Sequence, residues 1–141
     1  MYRIRNKRRK WTLIAIALIV PLGFYTKFYS GPAAGWVNHS LGGVLYVIFW
    51  SLLFSLILPR AKAWKIVKGV FTVTCLLEFL QLWHPAFLEA VRDTFIGVTL
   101  IGNSFSWLDL IHYAAGSLLA WGLLALLLRT ESSRTNRREQ Y

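Results

Sequence analysis

Charge is scarce in this chain. Of its 141 residues only 16% are Asp, Glu, Lys or Arg, against roughly 25% in soluble domains. Carboxylates are scarcer still, six in all against sixteen Lys and Arg. A domain this small exposes a large share of its surface and could hardly cover it with so few charges. A soluble globular domain is therefore excluded. There is one cysteine, Cys75, which excludes an intramolecular disulfide and with it a disulfide scaffold. The low apolar content of a disordered chain is also missing, since 56% of residues are hydrophobic and 16% aromatic. Mean hydropathy is +0.48 although both ends are polar, so the middle is more apolar than that mean. No internal repeat is discernible.

What is present is a set of long apolar runs. A hydrocarbon core of about 30 Å needs about 20 apolar residues in a helix. Four runs approach that length: 11–29 with Lys27 near its end, 41–58 with no charge, 66–83 with Lys68 and Glu78, and 107–128 with Asp109 and His112 in its first two turns. The breaks between them hold suitable punctuation. Ser30-Gly31-Pro32 closes the first. Asn38-His39-Ser40 offers caps before the second. Pro59 stops the second, His84-Pro85 follows the third, and Gly102-Asn103 with Ser104 precedes the fourth. The chain reads as an all-α integral membrane protein of four transmembrane helices plus a short interfacial or re-entrant helix before the last span. A basic N-terminal tail (1–10) and a polar C-terminal tail (129–141) flank a transmembrane domain (11–128).

The basic residues give direction. Six lie in the N-terminal tail, four at Arg60, Lys62, Lys65 and Lys68, and four at Arg129, Arg134, Arg137 and Arg138. Four spans bring these three segments to one face and leave only Lys27 and Arg92 on the other, so both termini are expected in the cytoplasm of a bacterial inner (plasma) membrane. The net charge of +10 is thus a topology signal that also attracts anionic lipid. Nucleic acid is not expected as a partner, because no recognition motif interleaves aromatics with the basic tails. The first run follows a basic stretch, as a signal peptide does. Its apolar part is longer than 7–15 residues and no clear A-x-A site follows, so it is expected to stay as an anchor. Trp11, Tyr25, Tyr29, Trp36, Trp64, Trp83 and Trp107 fall near span ends, as an aromatic belt does.

Polar chemistry concentrates between Glu78 and Gly116. Glu78 lies five residues before Trp83, about 7–8 Å below the outer end of its span. Gln81 shares its helix face at i+3, and Asp109, His112 and Tyr113 stand at i, i+3 and i+4 on the next span. All five fall at the outer ends of two consecutive antiparallel helices. Between them, Phe87, Leu88, Val91, Phe95 and Val98 recur at three- and four-residue spacing, which predicts an amphipathic helix from about Pro85 to Ile101. It would hold Arg92 above the polar cluster. An ionisable residue inside a span normally faces a partner or a water-filled cavity, and Arg92, the cation nearest by sequence on that side, is the expected partner of Glu78 or Asp109. Plainer readings stand beside these. Glu78 would bond only to Gln81 or the backbone. Ser106 and Asp109 have the spacing of a capping box. Arg92 would sit on an interfacial surface, and His84 and His112 would be interfacial polar groups. Gly116, with small neighbours, suits close helix packing. No metal-ligand spacing occurs, and neither metal nor cofactor is expected. Ser104 and Ser106 have no evident base, which disfavours a serine nucleophile.

Glu78-x-x-Gln81, the following Arg92, and the run from Gly102-Asn-Ser-Phe105 through Trp107, Asp109 and Tyr113 to Gly116 resemble the motif of the DUF2809 family of small bacterial inner-membrane proteins. The likeness bears on fold and location, since that family carries no established activity. More distantly, Glu78, Gln81, Arg92, Asp109 and Gly116 are similar to the pattern of VanZ-like proteins. Tyr113 stands where those carry Asn. The VanZ likeness implies a role at the cell envelope, where such proteins are linked to low-level teicoplanin resistance. The expected ligand-binding residues are Glu78, Gln81, Arg92, Asp109 and Tyr113, forming an outward-facing polar pocket for an envelope lipid or lipid-linked sugar headgroup. The alternatives are a membrane enzyme acting on a lipid-linked substrate, a proton-coupled carrier, or a structural subunit of a membrane complex. Membrane lipids are expected partners, with a homo-oligomer or larger complex left open.

Overall fold

A computed structural model describes residues 2–102 and 104–135, with side chains from residue 8 to 127 except His39 and Asn103. Among the described residues every regular element is helical: α1 (Tyr2–Phe28), α2 (Ala34–Trp36), a π-helical turn (Val37–Leu41), α3 (Gly42–Ile57), α4 (Ala63–Leu80), α5 (Ala86–Arg92), α6 (Phe95–Leu100) and α7 (Trp107–Thr135).

The four expected spans each correspond to a helix, with shifted ends. The basic segment before Trp11 contains good helix formers and neither Gly nor Pro, so α1 starts at Tyr2. At the far end α7 carries past Leu128 to Thr135, and the rest of the expected C-terminal tail, like Asn103, lies outside the described residues. Asn38 and Ser40, expected as caps, are instead inside the π turn that joins α2 to α3 without a break. α4 begins and ends three residues before the expected run. The helices Arg8–Phe28 and Trp107–Leu127 are long and apolar enough to cross a membrane. α3 is equally apolar but has 16 residues, and α4 has 18 residues that include Lys65, Lys68 and Glu78.

α3 and α7 form the most extensive contact, α4 packs on both, and α1 leans on α3 with a lesser contact to α7. The core lies where these meet, at Ile48, Leu52, Val67, Ala120 and Leu124. Close approach of α3 and α7 depends on glycine. A Cβ at Gly116 would stand 2.8 Å from the Val44 carbonyl oxygen, and one at Gly43 would stand 3.1 Å from Tyr113. Much of the remaining apolar surface faces outward, with Trp36, Trp64, Trp83 and Trp107 exposed near helix ends and Trp11 exposed inside α1.

The last carbonyls of a helix lack intrahelical partners, and two arginines supply them. Arg8 of α1 donates to Ser55 O at 2.9 Å and Pro59 O at 3.2 Å, which closes the end of α3. Arg92 does the same for α4 from the opposite end of the bundle.

The expected single helix from Pro85 to Ile101 is two. It breaks at Asp93-Thr94, because the Thr94 side chain competes with the helical ladder. Its Oγ1 donates to Val91 O at 2.7 Å and accepts the Gly97 N–H at 2.9 Å, capping α6. The two helices then cross so closely that a Cβ at Gly97 would overlap the Val91 carbonyl.

Candidate functional site

Glu78 lies in the last turn of α4, facing the start of α7, and is 1% exposed. One carboxylate oxygen accepts the main-chain N–H of Ser106 at 2.8 Å. The other accepts the Tyr113 hydroxyl at 2.9 Å and, more weakly, the Gln81 amide at 3.4 Å. A carboxylate left without donors in an apolar interior costs several kcal/mol. Here three donors from three places in the chain converge on it.

Ser106 immediately precedes α7. In a capping box the residue at the third helical position, here Asp109, reaches back to the N–H of the cap residue. In this fold that N–H is given to Glu78, so the helix start is closed from a neighbouring helix. Asp109 is half-buried in the first turn of α7, where its charge acts on Glu78 and Tyr113.

Gln81 ends α4 and is 6% exposed. Its amide donates to Ile101 O at 2.6 Å, pinning the loop after α6 over the bundle. Its Oε1 is buried without a hydrogen-bond partner. Next to it Gly102 adopts φ +75°, and a Cβ there would stand 2.5 Å from Gln81 Nε2. Both the left-handed backbone and the close approach call for glycine.

Arg92 does not join this cluster. It is 4% exposed, yet its guanidinium turns to the end of α4, donating to Leu80 O at 2.9 Å and Trp83 O at 3.1 Å. Its ion pair is with Glu89, at 2.7 Å, so the expected pairing with Glu78 or Asp109 is corrected. The reason is local. Glu89 is three residues back on the same helix, and the open carbonyls of α4 lie directly beneath. His84 Nδ1 approaches Glu89 at 2.8 Å. Contacts with His84 and Arg92 hold the Glu89 carboxyl below the usual carboxylate range.

A small cavity of about 130 Å³ opens beside Gln81 and Tyr113, between α3, α4 and α7 and beneath the loop after α6. Tyr46 of α3 borders it and donates to Leu100 O at 3.0 Å. Thr99, on its rim, lies 3.5 Å from Lys27 Nζ. Two larger apolar grooves meet the same tyrosine, one between α3 and α4 and one between α1 and α3. Reasoning from sequence missed the Ser106 N–H, the Ile101 carbonyl and Tyr46, since none of them carries a motif of its own. The sequence model of a family described as a protein of unknown function (DUF2809) matches residues 33–117. The chain belongs to the DUF2809 family. The matched stretch runs from just before α2 into α7 and contains Glu78, Gln81, Arg92, Asp109, Tyr113 and Gly116, so the cluster lies inside the DUF2809 region. No solved structure matches the chain.

Proposed function

We propose that this DUF2809 protein crosses a bacterial inner (plasma) membrane four times with both termini in the cytoplasm, and that its outer-end cavity binds the headgroup of an envelope lipid or lipid-linked sugar. The topology rests on fourteen of sixteen basic residues falling in three segments that four spans bring to one face. The two weaker spans have compensations. α3 is prolonged by α2 and the π turn, so the chain is helical from Ala34 to Ile57. In α4, Lys65 and Lys68 sit in the first two turns, within snorkelling reach of an interface, and Glu78 is fully hydrogen-bonded inside the protein.

The observation that carries the binding reading is the Gln81 side chain, fixed at its amide end and with its buried Oε1 left without a donor beside the cavity. An unfilled acceptor near two carboxylates favours a ligand that brings hydrogen-bond donors, such as the hydroxyls of a sugar or glycerol, over a bare phosphate. Arg92 is committed elsewhere, and Lys27 reaches only Thr99 on the rim without lining the cavity. Cavity and α3–α4 groove share Tyr46, Thr74, Leu77, Leu100 and Ile101, which gives a lipid lateral access.

Native mass spectrometry of protein extracted gently from its own membrane tests this, with Gln81→Leu alongside. A discrete hydroxyl-rich lipid on the wild type, reduced at least tenfold in the variant, is the expected result. Bulk phospholipid alone, alike in both, overturns it. Single cysteines at positions 62 and 84, probed with an impermeant thiol reagent in a Cys75→Ser background, test the topology separately. Only position 84 should label from outside.

A further inference from the structure

The groove between α3 and α4 encloses about 490 Å³. α4 lines it with Ile66, Gly69, Val73 and Leu77, and α3 with Trp50 and Phe54. Its polar lining is small. Thr74 contributes a hydroxyl already donated to Val70 O at 2.6 Å. Lys65 stands at the end beside the 58–62 connection, 5.7 Å above the Trp64 ring, with no carboxylate partner among the described residues. Arg60, Lys62 and Lys68 crowd the same end, and no acidic residue precedes Glu78 in the chain. From Lys65 to Leu77 the helix rises about 18 Å, close to the roughly 15 Å of one leaflet's hydrocarbon.

We propose that this groove seats one hydrocarbon chain of an anionic phospholipid of the cytoplasmic leaflet, with the lipid phosphate on Lys65. The apolar walls take the chain. The unpaired ammonium at the mouth selects the headgroup, and one cation near a membrane surface is worth about a fivefold preference. The phosphate position at Lys65 is at the opposite end of the bundle from the Gln81 cavity, which the groove's far end adjoins at Tyr46, Thr74 and Leu77. It rests on the topology proposed above but not on any ligand at that cavity.

Gly69 makes the site testable. A Cβ there meets nothing within 4 Å, so Gly69→Leu fills the groove without striking the fold. Gly23, equally open, lines the α1–α3 groove, and Gly23→Leu is the control. Full-length protein is equilibrated in mixed micelles of phosphatidylglycerol and phosphatidylcholine, and the lipid retained on gas-phase release is counted by native mass spectrometry. The wild type should retain one phosphatidylglycerol about fivefold over phosphatidylcholine. Lys65→Gln should abolish the preference, Gly69→Leu should remove the retained lipid, and Gly23→Leu should change neither. Val73→Phe, at a position already open to lipid, repeats the groove test should Gly69→Leu lose its helical content. Equal retention of the two lipids by the wild type overturns the proposal. So does a preference that survives both groove-filling variants, which would place the headgroup on the basic surface with no chain in the groove. Labelling of position 62 from outside would instead sink the topology, whatever lipid is counted.

Discussion

Glu78 accepts the main-chain N–H of Ser106 at 2.8 Å, a contact that spans 28 positions of sequence. It ties the end of α4 to the first residue before α7, and makes a side chain of one helix the cap of another. The same carboxylate receives the Tyr113 hydroxyl, so it organises this end of the bundle whether or not a ligand is bound.

The accepting carboxylate and its single hydroxyl donor should therefore differ in weight. Tyr113→Phe removes one hydrogen bond, and such bonds between membrane helices average about 0.6 kcal/mol with a ceiling near 1.7. Glu78→Ala strands the Ser106 N–H, the Tyr113 hydroxyl and part of the Gln81 amide, at about 1–3 kcal/mol for each buried group left unmade. Thermal unfolding in detergent should show Glu78→Ala lowering the midpoint several times further than Tyr113→Phe. Equal small shifts would mean that water replaces the carboxylate.

Glu89 is an exposed group whose titration should be felt by the fold. Its folded-state carboxyl is held below the ordinary value by His84 and Arg92. A depressed acid stabilises the fold above its unfolded value, about 4.3, and loses that contribution as pH falls through the lower folded value. Local opening near Asp93 and Thr94, read as the ratio of observed to intrinsic amide-exchange rate at each pH, should rise on acidification below about pH 4. Glu89→Gln should leave that ratio high and flat across the range. A wild-type ratio that ignores pH there would show that the Arg92 cap holds without its ion pair.

Packing of α3 on α7 offers a sharper contrast. Gly116→Ala brings a methyl group against main-chain atoms of Val44 at 2.8 and 3.0 Å, and backbone cannot swing aside. Overpacking of this kind costs about 1–3 kcal/mol. Gly122→Ala, on the same helix with nothing within 4 Å, should be neutral or gain up to about 1 kcal/mol from helix propensity. If both lower the thermal midpoint alike, close approach at Gly116 is not what the glycine provides.

How far these features were legible in sequence depends on the range of the interaction. Helices α1, α3, α4 and α7 follow from runs of apolar residues, a property summed over some twenty positions, and they appear where the runs lie, with ends displaced by up to a turn except at the start of α1 and the end of α7, which extend nine and seven residues further. The residue pair Glu78 and Gln81 follows from the price of a carboxylate in an apolar run. The main-chain partners of Glu78 and Gln81 did not follow, and two expectations were overturned. Arg92 pointed by proximity in sequence to Glu78, but carbonyl groups carry no sequence signature, and it is Leu80 and Trp83 that receive it. The Pro85 to Ile101 periodicity was real for both halves, yet Thr94 turned it into two helices through hydrogen bonds to Val91 and Gly97 that hydrophobic spacing does not record.

The placement of the partners of α4 sets an order in time. Glu78 and the carbonyl of Leu80 leave the ribosome well before the groups that satisfy them. Arg92 follows Leu80 by 12 residues and Tyr113 follows Glu78 by 35. At about 5–20 residues per second, the cap on α4 trails its carbonyls by about a second, and the carboxylate waits several seconds for its hydroxyl. During biosynthesis α4 is a helix with an unpartnered carboxyl group and an open end. Its final packing is thus coupled to the emergence of α7, whose Tyr113 comes 35 residues later.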